Sequence, residues 1–259
     1  MPKAELQRLA QDLIEQCAPL SWEERLQMLT HYTHLNIAFS SSFSYEDQAI
    51  THVIATHNLP VRAFTLDTGR LFEETHDVIS ATEQKYPTLK LETYYPDAHD
   101  TQNLVAHQGI NGFRDSIEKR KACCFTRKVE PLNRALEGVD IWISGLRHEH
   151  SDNRSDLPPA EIDEARGLIK FYPLIDVLEE EIKPYIQQHN IPYNTLHDNG
   201  FPSIGCAPCT RAVSEGEHPR AGRWWWESED AQECGLHMVN GRLVRTKDLT
   251  QEEKRQYAQ

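Results

Sequence analysis

The stretch Asn36-Ile37-Ala38-Phe39, followed by Ser40-Ser41-Ser42-Phe43-Ser44 and then by Tyr45 to His57, decides how the chain is read. The first four residues form a short apolar strand. The serines form a small-residue loop. The third segment is a helix that turns Ala49, Ile50, Val53 and Ile54 inward. The pattern then recurs. Val61 to Leu66 is a second strand, Arg70 to Tyr86 a helix stopped at Pro87, and Leu89 to Tyr94 a third strand. Strands alternating with helices of this length predict an α/β fold with a parallel sheet covered on both faces.

Forward from there, Thr101 to Leu136 reads as helical with interruptions at Gly109 and Gly112. Asp140 to Ser144, with Ile141-Trp142-Ile143, is a fourth strand. Leu146 to Gly167 is a polar loop holding Pro158-Pro159, Leu168 to Tyr172 a fifth strand, and Val177 to Asn190 a further helix. From Phe201 onward regular periodicity fades, which predicts an irregular and mobile C-terminal tail. Backward from Asn36, Leu6, Leu9, Leu13, Ile14 and Cys17 share one helical face. Ser21-Trp22-Glu23-Glu24 is a capping box that opens a second helix ending near Thr33.

Composition narrows the function classes. The 259 residues carry a net charge of −13, which argues against general binding to nucleic acid or membrane surfaces. An anionic ligand must therefore be held by local basic residues. No apolar run approaches a membrane span, and Glu5, Asp12 and Glu15 near the N-terminus do not suit a targeting segment. A cytoplasmic location is the default expectation. In that reducing setting the six cysteines, Cys17, Cys123, Cys124, Cys206, Cys209 and Cys234, read as metal ligands or reactive thiols before disulfides. Cys17, on its helical face, reads as a packed thiol.

Ligands of such sheets bind outside the carboxyl ends of the strands. Three loops qualify. Ser40 to Asp47 offers backbone N–H groups and hydroxyls at a helix N-terminus, either to an anion or simply as a cap. It lacks the glycines and the Gly-Lys-Ser/Thr of a Walker loop. Leu66-Asp67-Thr68-Gly69-Arg70 allows close approach at Gly69, with Asp67 a ligand or a cap. Ser144-Gly145-Leu146-Arg147 repeats a glycine and a cation at the same edge. Three strand ends of this composition point to one shared pocket.

The cysteines add a second constellation. Cys123-Cys124 and Cys206-Ala207-Pro208-Cys209 provide four thiolates that suit either a structural zinc or an iron–sulfur cluster. Lys119, Arg120, Lys121, Arg127 and Lys128 flank the first pair; Arg211, Arg220 and Arg223 follow the second. They balance thiolate charge, grip an anion, or form a solvated surface. Cys234 is left unpaired in Glu233-Cys234-Gly235-Leu236-His237. Cations nearby favour its nucleophilic thiolate, and His237 stands as base, anion ligand or bystander.

Together, Cys123-Cys124, Cys206-x-x-Cys209 and Glu233 to His237 resemble the assimilatory adenylyl-sulfate (APS) reductases. The resemblance runs from about Asn36 to His237 and takes in all three strand-end loops. Related phosphoadenylyl-sulfate (PAPS) reductases keep the tail motif without the cysteine pairs. The resemblance implies a Rossmann-like core of the adenine nucleotide alpha-hydrolase-like class, whose ATP pyrophosphatase members carry a Ser-Gly-Gly-x-Asp-Ser loop absent here. It divides the chain into N-terminal helices (1–34), a nucleotide-binding domain (35–200) and a C-terminal segment with cluster ligands and the catalytic cysteine (201–259).

It further implies a [4Fe–4S] cluster on Cys123, Cys124, Cys206 and Cys209, and Cys234 as the nucleophile on a mobile segment. Ser40, Ser42, Leu66, Asp67, Arg70, Gly145 and Arg147 would hold the nucleotide. Lys128, Arg220, Arg223 and His237 would surround the phosphosulfate. The implied substrate is adenosine 5′-phosphosulfate and the implied reductant thioredoxin or a glutaredoxin-like protein, in cysteine biosynthesis; the pattern is compatible with a homo-oligomer. Two departures stand out. Arg147-His148-Glu149-His150-Ser151 lacks the second basic residue and the Gln common in relatives, and Val177 stands where a Trp is common.

Overall fold

The computed structural model describes residues 1–149 and 157–227, together with the backbone alone of His150, Leu236–Val239 and Arg242–Arg245. The chain starts with α1 (Lys3–Cys17) and the short α2 (Trp22–Gln27), which runs into a 3-10 turn, Met28–Tyr32. The capping box at Ser21 and Glu24 forms as the sequence predicts, so the start of α2 is satisfied locally. Leu6, Leu9, Leu13 and Cys17 turn one face of α1 into the main core beside Leu26 and Ile50. Arg25 clamps this addition down. Its guanidinium meets both carboxylate oxygens of Asp176, at 2.5 and 2.8 Å, and the carbonyls of Cys17 and Pro173.

The body is a six-stranded sheet in the order β3-β2-β1-β4-β6-β5. β1 (Ile37–Ser41), β2 (Arg62–Leu66), β3 (Leu91–Tyr94), β4 (Ile141–Ile143) and β6 (Leu168–Phe171) run parallel. The helices between them are α3 (Tyr45–Thr56), α4 (Glu73–Lys85), α5 (Ala98–Gln108), α6 (Ile117–Cys124) and α7 (Glu130–Ala135), with α8 (Glu179–Gln188) after β6. The chain winds outward from β1 to β3, then returns to place β4 on the other side of β1. That reversal opens a crevice at the carboxyl ends of β1 and β4, where such folds receive ligands.

Four features differ from the sequence expectation. First, the sheet is not wholly parallel: β5 (Ala160–Asp163) forms an antiparallel edge against β6, inside the segment read as polar loop. Its four residues alternate with acidic side chains, so no apolar run announced it, and α1 covers it. Second, β1 extends through Ser40 and Ser41, so only the last part of the serine run is loop. Third, α4 starts at Glu73, leaving Arg70 outside the helix. Fourth, the tail carries regular structure: β7 (Leu236–Val239) and β8 (Arg242–Arg245) pair antiparallel. The Asn240-Gly241 pair between them is the hairpin signal that the irregular reading passed over. Among the described residues no helix is long and apolar enough to cross a membrane.

Candidate active site

At the crevice the serine loop is shaped from within. Ser40 Oγ accepts a hydrogen bond from the Trp142 indole at 2.8 Å. Ser41 Oγ accepts from the Phe43 N–H, and Phe43 itself takes a left-handed φ of 60° with its ring buried. Ser42 is exposed, and both its N–H and its hydroxyl donate to Asp47 Oδ2 at 2.6 Å. Ser44 caps α3 by accepting from the Asp47 N–H. The Gly145 N–H also reaches the Asp47 carboxylate. Burial pushes the Asp47 carboxyl up to about 6, against the pull of these donors. Gly145 packs so closely on α3 that a Cβ there would meet Asp47 Oδ1 and Glu46 Cβ. Its glycine is thus demanded by helix approach.

Arg147 is only 2% exposed and lies inward. Its Nε donates to Glu46 Oε1 at 2.9 Å, and Nη1 meets Glu149 and the Val177 carbonyl. Glu149 in turn accepts from the Glu179 N–H at the start of α8. The guanidinium read as a nucleotide-holding cation therefore clasps the starts of α3 and α8 together.

The second loop leads to the thiols. Leu66 ends β2, half-buried. Asp67 accepts from the Gly69 N–H at 2.8 Å and pairs with His76 Nε2 at 3.1 Å. Gly69 has a φ of 69°, the left-handed region that favours glycine. Thr68 Oγ1 lies 3.2 Å from Cys206 Sγ, and the Ala207 N–H donates to the Arg70 carbonyl at 2.8 Å. The loop is thus bonded directly to the Cys206–Cys209 turn. The Arg70 side chain points to the segment after α5, donating to the Ile110 carbonyl and Asn111 Oδ1 and lying over the Phe113 ring.

Cys123 and Cys124 close α6, where the helix widens into a π-helical turn, Phe125–Val129. Cys206 and Cys209 bracket a 3-10 turn. Phe113 and Trp224, with Trp226 beside them, pack around Cys123, Cys206 and Cys209. Burial, and next the neighbouring thiols of Cys206, Cys124 and Cys123, pushes the Cys209 thiol up to about 12. Burial also raises Cys123, which Arg127 pulls back. Thiols that mutually oppose ionisation are a donor set suited to a bound cation or cluster.

The flanking cations divide into two groups. Lys119 pairs with Asp115 and Arg211 with Glu217, both at the surface; Lys128 is exposed and Lys121 and Arg220 partly so. Inside, Arg120 makes a bidentate pair with Glu227 at 2.5 and 3.0 Å under the Trp224 ring. Arg127 donates to the Thr68 carbonyl, and Arg223 lies over Trp224. The Nε atoms of Arg127 and Arg223 are buried without a partner among the described residues. Sequence reasoning missed Thr68, Phe113 and the Arg120–Glu227 pair; Trp224-Trp225-Trp226 was the visible hint of an aromatic wall there. Cys234 and the side chain of His237 lie outside the described residues.

A crevice at a sheet reversal, joined to a half-buried thiol set, defines an α/β protein with a cysteine-lined site. Residues 36–212 match the family model described as the phosphoadenosine phosphosulfate reductase domain, and the chain belongs to that family. It is 50% identical over 202 residues to the adenosine 5′-phosphosulfate reductase of Allochromatium vinosum, covering 78% of each chain. It is 46% identical over 206 residues to that of Burkholderia cepacia, covering 80% of this chain and 82% of the relative. Among solved structures, the phosphoadenylyl-sulfate (PAPS) reductase from Candida auris aligns with a TM-score of 0.66 at 26% identity. That alignment covers 82% of this chain and 98% of the other. Yeast FAD synthetase aligns at 0.50 and 17% identity, over 82% and 70%, a likeness of fold alone.

Proposed function

We propose that this protein reduces adenosine 5′-phosphosulfate to sulfite and AMP through its Cys234 thiolate. The observation that carries the reading is the bonding of a strand-end loop to the cysteine turn, Thr68 to Cys206 and Ala207 to Arg70. It joins a nucleotide crevice to a thiol set within a chain whose relatives at 46–50% identity bear the APS reductase name. The structural relative named for PAPS stands at 26%, which favours APS as substrate.

In this reading Ser42, Leu66, Asp67 and Gly145 present the crevice backbone to the nucleotide, with Ser40, Arg70 and Arg147 supporting the loops that do so. Residues 35–200 form the nucleotide-binding unit and 1–34 a packed addition. Lys128, Arg220, Arg223 and His237 face the phosphosulfate. Cys123, Cys124, Cys206 and Cys209 would hold a [4Fe–4S] cluster, a donor set of four thiols that suits such a group. Held by these four residues, such a cluster would tie α6 to the Cys206–Cys209 turn and would supply a fixed charge to the site.

The Cys234 thiolate attacks the sulfate sulfur. The bond from sulfur to the bridging oxygen breaks, AMP leaves with the electron pair, and Cys234 becomes S-sulfonated. Charge builds on sulfate and leaving phosphate, where preorganised guanidinium and ammonium groups stabilise it. A thiolate of thioredoxin or a glutaredoxin-like partner then attacks the Cys234 sulfur and expels sulfite. The partner's second thiol resolves the mixed disulfide, so the partner dithiol supplies both electrons. A cytoplasmic setting, which keeps such dithiols reduced, accompanies this reading.

A single turnover with APS and no reductant tests it. Mass spectrometry is expected to find one sulfonate on Cys234, with AMP released. Cys234→Ser is expected to abolish sulfite release with reduced thioredoxin. Full sulfite production by that variant overturns the mechanism, and faster turnover of PAPS than of APS overturns the substrate.

A further inference from the structure

We infer that Gly205 is a positioning residue for Arg223: the space left by its absent side chain is the seat in which that guanidinium lies beside the Cys206 turn. The inference deepens the reading of the site given above and rests on it.

The main chain of Arg223 is pinned. It bridges to Thr210 antiparallel, and its N–H donates to the Arg220 carbonyl at 2.9 Å. From there the side chain lies over the Trp224 ring, 4.9 Å from its centroid, and reaches across Gly205. Nη1 is 3.4 Å from Ser203 Oγ, a long contact for a cation, and Nε is buried without a partner among the described residues. With its main chain fixed and its guanidinium bonded this weakly, Arg223 retains donors for an anion.

Gly205 makes the pose possible. A Cβ built on it would stand 2.5 Å from Arg223 Cζ and 2.8 Å from Nη1, with Nη2 nearer still, and these are its three nearest neighbours. The residue is not among those with positive φ. An alanine there meets no left-handed backbone strain, and the atoms nearest to it all belong to the guanidinium, a flexible side-chain end. Gly222 is different, because a Cβ there would strike the Arg211 carbonyl, which is main chain. The far end of a long side chain yields easily, so the fold tolerates Gly205→Ala while Arg223 is turned out of its seat.

The test is a double-mutant cycle of Gly205→Ala and Arg223→Ala, read in APS-dependent sulfite release with reduced thioredoxin. Losing one charge-assisted contact corresponds to roughly a 10- to 100-fold rise in KM. Gly205→Ala is expected to raise KM for APS by that order with a smaller change in kcat. Arg223→Ala is expected to do the same, and the double variant to be no worse than Arg223→Ala alone. A native KM in Gly205→Ala, or effects that multiply, overturns the inference. If Gly205→Ala does not accumulate as folded protein, adding Arg223→Ala is expected to restore it; a double variant that still fails overturns the inference. If the native protein releases no sulfite from APS, the functional reading fails. Thermal unfolding of the same four proteins then still decides the contact, because additive shifts in Tm overturn it.

Discussion

Asp47 concentrates the residue-scale physics of the crevice. One enclosed carboxylate gathers the Ser42 N–H, the Ser42 hydroxyl and the Gly145 N–H, and so joins the loops after β1 and β4. Its folded pKa of about 6 lies above the ordinary carboxylate value, because burial outweighs the donors. A raised folded pKa means that its contribution is full below about pH 4 and is lost as pH rises through 6. That swing amounts to about 3 kcal/mol. Urea unfolding from pH 4 to pH 7 is expected to show a slope in the native protein that Asp47→Asn lacks; parallel profiles would remove Asp47 as its source. In sequence Asp47 stood out only as an acid favourable to a helix start. Its enclosure comes from Gly145, roughly a hundred residues away, which no local pattern reveals. Arg147 has the same history: a cation at a strand end in sequence, a buried clasp among Glu46, Glu149 and Glu179 in the fold.

At the scale of elements, α3, α4 and α8 meet in a cluster of rings. His52 Nδ1 is 2.9 Å from the Tyr86 hydroxyl, and its ring lies 4.8 Å from His189 and 5.9 Å from Tyr185. Lys85 caps the far end by donating to the His189 and Asn190 carbonyls. Burial, with His189, Lys85 and His57 adding positive charge, drives the His52 imidazole down to about 4. Here the sign is opposite to that of Asp47. Stability is present above the ordinary histidine value of about 6.5 and is lost as pH falls toward 4. His52→Gln is expected to flatten the fall in Tm between pH 6.5 and 4; an unchanged fall would place the acid sensitivity elsewhere.

The elements themselves were largely legible. Helical and strand periods are local, and they located α1, α3, α4, α8 and the five parallel strands to within a few residues. β5 escaped because its partner, β6, supplies the pairing that its own four residues do not advertise. β7 and β8 carry four residues each without strict alternation, so their only local signal is the Asn-Gly between them.

For the whole molecule, the organising fact is that the chain reverses between β1 and β4 and later returns, through Cys206–Cys209, to the loop after β2. The four thiols therefore come from α6 and from a turn some eighty residues further along, and three of them, Cys123, Cys206 and Cys209, share one aromatic-walled enclosure. Protein purified without oxygen is expected to carry four iron and four acid-labile sulfide per chain, and Cys209→Ser to lower both. A fully active protein holding one zinc and no iron would overturn the cluster assignment.

What the sequence by itself determined is the alternation of strand and helix, which loops follow the parallel strands, and the inventory of thiols and cations. Each of these depends on neighbours close in the chain or on residue chemistry alone. Only the tertiary structure decided which cations are engaged inside and which keep spare donors, and that Arg147 and Arg223 differ in this respect. It also brought Gly205 against the Arg223 guanidinium, where a Cβ would collide. The physical reason is that burial, charge pairing and excluded volume depend on groups brought together from distant parts of the chain.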